Sequence, residues 1–206
     1  MLKTKTIKNR ETYLEQAVSE LRPLFRRHGY PIPRAVKVTC GWPSKSAGRS
    51  SKRRIGECWD SSASADKKTV NIIISMVIDE PIAALDILAH ELVHAAVGCE
   101  HGHKGPFATM ARAIGLEGKL TATTAGPELE KHLATIAKKL GKYPHSKIDF
   151  DNRKRQGTRM IKAQCTEDTG ADCGMIFRTA RRWIDAVEGH GMNFSCPICG
   201  STMKHR

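Results

Sequence analysis

The sharpest chemical signal in the sequence is a set of three residues. His90 and His94 stand four apart, with Glu91 directly after the first. On a helix, residues four apart lie one above the other on the same face, so both imidazoles can be directed at one metal ion. Glu91 is rotated by about 100°. It therefore sits beside the ligands rather than among them, where a carboxylate can take a proton from a metal-bound water. This is the mechanical content of H-E-x-x-H, and zinc, which brings the pKa of bound water towards about 7, makes it work at neutral pH. The plain alternative is a solvated helix face that happens to carry two histidines.

Two protein ligands do not hold a catalytic zinc; a third is expected, with one position left open. The pattern H-E-x-x-H-x-x-G-x-x-H fails, because its glycine and third histidine would fall on Val97 and Glu100. His103 is the favoured third ligand. It precedes Lys-Gly-Pro-Phe, where Gly105-Pro106 can open a new helix facing the first and Phe107 can pin that helix to the core. His101 ranks second, and Glu117, just beyond a helix-stopping Gly115, ranks third.

A second constellation lies near the C-terminus. Cys196-Pro-Ile-Cys199-Gly has the spacing of a zinc knuckle, with two residues between thiolates and a glycine to relieve the turn. Cys165 and Cys173 are separated by seven residues, TEDTGAD, readable as an excursion between two ligands of the same ion. Four thiolates suit a structural zinc, which would supply folding energy that so small a segment lacks. Arg178, Arg181, Arg182 and Trp183 between the pairs suit phosphate contact with an aromatic beside it. Cys40, Cys58 and Cys99 read as small buried hydrophobes.

The elements that must position these groups are legible. Glu11 to His28 has apolar residues at helical spacing, with a bend expected at Pro23. Ala35–Thr39, Ile55–Trp59 and Val70–Ser75 read as strands, and Gly41 to Arg54 as a loop. The histidine helix should be capped by Asp79, carry Pro81 in its first turn and end at Gly98. Its stripe of Ile82, Leu85, Ala89, Leu92 and Ala96 should face the core. Further helices are expected from about Gly105 to Ile114 and from Pro127 to Leu140, then a linker beginning at Tyr143. The order of elements points to an α+β fold, with a main domain over residues 1–150 and a four-cysteine domain over 151–206.

Composition narrows the setting. The 206 residues are 40% hydrophobic and 27% charged, the proportions of a globular chain. No apolar run reaches the roughly 18–20 residues of a membrane span, and no secretory signal is evident, so the cytoplasm is expected and no membrane partner. In reducing surroundings seven cysteines argue for metal rather than disulfides. The net charge of +13 is concentrated in basic runs, among them residues 48–54, 137–142 and 152–159, and favours a polyanion such as nucleic acid.

The span HELVHAAVGCEHGHKGPF, with the strand VNIIIS before it, resembles the SprT-like metallopeptidase domain to which Spartan-type proteases belong. The likeness is close over Asn71 to Phe107 and looser over Glu11 to Gly115. Lys104 stands where that family usually has glycine, and the seven-residue gap after Cys165 also departs from its zinc ribbon. The resemblance implies a zincin-like domain of helices packed on a small sheet, followed by a zinc-ribbon domain. It implies two Zn2+ ions, one catalytic and one structural, with Glu91 as general base and His90, His94 and His103 as ligands. It further implies a monomeric protease acting on proteins bound or crosslinked to DNA, for which a nucleoid-associated location would suit.

Overall fold

The computed structural model describes residues 7–44, 54–149, 160–165 and 173–205. Most of the expected loop after Gly41, the basic run 152–159, much of the linker and the TEDTGAD segment lie outside them. The chain is α+β and divides into two compact units, Met1–Asp151 and Asn152–Arg206.

The first unit is built on a three-stranded sheet in the order β1-β3-β2: β1 is Val36–Gly41, β2 Gly56–Trp59 and β3 Val70–Ser75. β1 runs parallel to β3, with Val36 opposite Val70, and β2 runs antiparallel on the other side, with Cys58 opposite Ile72. The β-branched run of β3 suits a central strand, and Ile72 and Ile74 are fully buried. Helix α1, Arg10–Arg27, continues through Pro23 and is capped by Asn9, whose side chain accepts from Thr12 N–H. It buries Tyr13, Leu14, Ala17, Leu21 and Phe25 at the expected spacing.

Helix α2, Pro81–Val97, carries the histidines. Its N-cap is Glu80, which accepts from Ala83 N–H at 2.7 Å; Asp79 instead lies 3.6 Å from the Lys147 ammonium. The shift by one residue is physical, since Pro81 takes the first helical position and the residue before it becomes the cap. The helix is also buried far more widely than one stripe. Ala84, Leu85, Leu88, Ala89, Leu92 and Val93 are all fully buried, because α2 packs against β2, β3, α1, α3 and α4. Each buried leucine contributes on the order of 2 kcal/mol. The site helix is thereby a core element, held rigidly.

Helix α3, Pro106–Ala113, and helix α4, Pro127–Leu140, follow. Between them lies a hairpin with no counterpart in the expected elements, β4 (Leu116–Lys119) paired with β5 (Ala122–Ala125). Its sequence, LEGKLTATTA, lacks clear alternation. Tertiary contact with α2, α3 and α4 selects it.

The second unit is an antiparallel sheet in the order β7-β6-β8, formed by β6 (Met160–Cys165), β7 (Ile176–Ala180) and β8 (Met203–His205), with helix α5 (Arg181–Gly189) after β7. Its core is small: Ala163, Cys165, Cys196 and Met203 are buried together. Among the described residues no helix is long and apolar enough to cross a membrane.

Candidate metal centres

The helical spacing brings His90 and His94 together on α2, but the third histidine must be delivered by the chain beyond it. Gly98 ends α2 with φ +101°, a short 3-10 turn covers Cys99–His101, and Gly102 follows with φ +53°. These left-handed positions are inexpensive only for glycine. They reverse the chain so that His103 faces α2 just before α3 begins.

The result is a triad of ring nitrogens. His103 Nε2 lies 3.3 Å from His90 Nε2 and 3.2 Å from His94 Nε2. Nitrogens about 2.0–2.1 Å from one tetrahedral zinc would stand about 3.3 Å apart, so this donor set fits that ion. Burial pushes the His90 imidazole down to about 4 and His94 to about 3, reinforced by the neighbouring rings, and lowers His103 as well. The three rings are neutral at pH 7, and neutral lone pairs pointed at one another are unfavourable without a cation or proton among them. Phe107, fully buried, underlies the group with its ring centre 4.2 Å from that of His94 and 4.9 Å from that of His103. His101 stays outside, exposed and 3.7 Å from Glu100, and Glu117 is exposed on β4.

Side chains beyond the motif complete the site. With Nε2 turned inward, His90 Nδ1–H donates to Thr123 Oγ1 at 2.7 Å, which fixes the tautomer and ring plane. Glu91 is 7% exposed. Burial pushes its carboxyl up to about 8, with Arg54 opposing the shift. Strand β2 passes directly over it at Gly56, where a Cβ would overlap Glu91 Oε1 and lie 2.6 Å from Ile87 Cγ2. Arg54 is oriented by Glu57, whose buried carboxylate also accepts from Ser44 N–H and Oγ. Burial alone would raise the pKa of Glu57, but these hydrogen bonds outweigh it and hold it below the ordinary range. Arg54, Gly56, Glu57, Glu91 and Thr123 line an open cleft of about 620 Å³ together with the three histidines. Thr123 and Gly56 carry no sequence signal beyond a glycine within a strand.

In the second unit Cys165, Cys173, Cys196 and Cys199 converge. Their Sγ separations are 3.4 Å (Cys165–Cys199), 3.4 Å (Cys173–Cys196) and 3.6 Å (Cys173–Cys199). Sulfurs about 2.3 Å from a tetrahedral zinc would be about 3.8 Å apart, whereas a disulfide needs about 2.05 Å. The spacing fits thiolates around an ion, consistent with a zinc ribbon. Gly200, at φ +73°, lets its N–H return to the Cys196 carbonyl at 2.9 Å, which closes the knuckle. Hydrogen bonds shared with Ser201, its hydroxyl first, bring the Cys199 thiol down to about 6. Nearby, α5 opens with Arg181, Arg182 and Trp183 all exposed, and the Arg182 guanidinium lies 4.8 Å from the Trp183 ring centre.

The chain thus holds two candidate metal sites, a three-histidine cluster and a four-cysteine cluster. Comparison with protein-family models, with curated proteins and with solved structures finds no match to this chain.

Proposed function

We propose that the chain is a zinc-dependent metalloendopeptidase of the SprT-like type, acting on DNA-associated proteins. The observation that carries this reading is the buried Glu91 carboxyl beside three converging imidazole nitrogens in an open cleft. His90, His94 and His103 would hold a zinc ion, which would supply Lewis acidity toward water and a carbonyl oxygen. Glu91 takes the proton of the attacking water and delivers it to the leaving amide nitrogen. A group whose burial favours the protonated form returns a proton readily, and a neighbouring dication favours the ionised form that accepts one. Thr123 holds the His90 ring, and Gly56 leaves room for the carboxylate.

The four cysteines would hold a second, structural zinc. The exposed Arg181, Arg182 and Trp183 support contact with DNA or another nucleic acid, through phosphates and a base or sugar face. A monomer working in the cytoplasm, in places on the nucleoid, fits this role. A second reading, a nucleic-acid-binding or transcription-associated protein without proteolysis, draws on the same basic surface of α5. It leaves a buried carboxylate beside a metal site without a task.

Metal analysis should find two zinc ions per chain, one lost in His90→Ala and the other in Cys199→Ser. Glu91→Gln should keep both ions and lose about 100- to 10,000-fold of the cleavage of a DNA-bound protein. Wild-type protein that never cleaves, with or without DNA, would favour the second reading. DNA binding that is absent or indifferent to salt would remove the DNA role alone.

A further inference from the structure

Cys58 and Cys99 belong to neither metal cluster, yet they meet in the cleft. Cys58 lies on the edge strand β2 and Cys99 opens the turn after α2, 41 residues later in sequence. Their Sγ atoms are 3.5 Å apart, and Cys99 Sγ is also 3.8 Å from the Cys58 carbonyl oxygen. Both line the same cleft as His90, Glu91 and His94, and both are half-buried rather than sealed in the core. Cys40, by contrast, is buried away from the cleft.

Two thiols in contact, reachable from solvent, need little movement to bond. A disulfide requires about 2.05 Å, so rotation about the Cα–Cβ bonds must close roughly 1.5 Å. We propose that Cys58 and Cys99 form an oxidant-responsive dithiol, which hydrogen peroxide converts to a disulfide tying the edge strand to the segment between His94 and His103. The hydrogen bond it shares with the Cys58 sulfur also holds the Cys99 thiol below its ordinary pKa, the direction an attacking sulfur needs.

The electrons balance in two steps. The Cys99 thiolate attacks one oxygen of hydrogen peroxide; the O–O bond breaks, an S–O bond forms, and the hydroxide that leaves takes up the proton the thiol had released, giving water. The sulfur of Cys58 then displaces the sulfenic oxygen as a second water, and the S–S bond forms. One peroxide is reduced to two waters as two thiols become one disulfide, and a dithiol reductant reverses the change. The crosslink would fasten one wall of the cleft to the loop that delivers His103. The proposal is independent of the peptidase reading, because its readout is covalent.

The test treats the full-length, zinc-loaded protein with hydrogen peroxide, blocks remaining thiols under native conditions and maps peptides by mass. The expected product is a Cys58–Cys99 peptide pair lighter than the reduced peptides by two hydrogens, restored by dithiothreitol. Cys99 should be consumed at least about tenfold faster than Cys40. In Cys58→Ser the crosslink should vanish and Cys99 should be captured by dimedone as the sulfenic acid. Recovery of both residues as free thiols, under conditions that oxidise glutathione, overturns the proposal. So does a crosslink joining either one mainly to a different cysteine.

Discussion

The two candidate metal centres stand on opposite footings. The histidine cluster is mounted on a large core, with α2 packed among strands and helices on several sides and Phe107 beneath the rings. Its three ligands come from two segments and leave one side facing the cleft. In the cysteine cluster Cys165 and Cys196 are themselves buried in the small core, beside Ala163 and Met203. One unit carries its cluster on a large apolar core; in the other, cysteines of the cluster are part of the core itself. The lesson concerns the order of cause. An open metal site needs a scaffold that resists the strain of an incomplete ligand shell, whereas a closed one can serve as the scaffold.

The contrast can be broken most decisively by Cys199→Ser. Zinc binding by small four-ligand units is worth on the order of 10 kcal/mol, so the second unit should unfold. Hydrogen exchange should show its strands losing protection while the amides of α2 keep theirs; equal loss in both units would void the contrast. Gly56→Ala comes next, pushing a methyl group into Glu91. Such overpacking costs about 1–3 kcal/mol, so cleavage should fall roughly 10- to 100-fold with both zinc ions retained. An unchanged rate would mean the carboxylate is not confined there. Thr123→Val removes the acceptor for His90 Nδ1–H, and chelator competition should show about tenfold weaker zinc at the histidine site alone.

The smallest effect tests how much strain the larger scaffold tolerates. Asp86 lies one turn before His90 on α2, and burial pushes its carboxyl up to about 6 despite a hydrogen bond from the Ala125 backbone. A raised pKa means that the protonated form favours folding. The benefit is complete below the ordinary value of 3.8 and lost as pH rises through about 6. At pH 8 the ionised group is a burden, so Asp86→Asn should stabilise the fold by about 1 kcal/mol, after allowance for partial exposure. At pH 3.5 the two proteins should melt alike. A gain at pH 3.5 as large as at pH 8 would show that ionisation is not the cause.

Sequence by itself determined what depends on neighbours along the chain. Helical periodicity places His90, Glu91 and His94 on one helix, proline and glycine mark the ends of α2 and α4, and Cys196-Pro-Ile-Cys199-Gly encodes its own turn. The α+β character follows from the order of such elements. Tertiary structure alone decided what depends on distances across the chain. It brought His103 rather than His101 or Glu117 to the ring nitrogens, set Thr123 behind His90 through a hairpin with little strand signal of its own, laid Gly56 over Glu91, and joined Cys58 to Cys99. The reason is that local rules fix dihedral angles within a few residues. Which distant surfaces meet is chosen by the burial of apolar side chains, summed over the whole core.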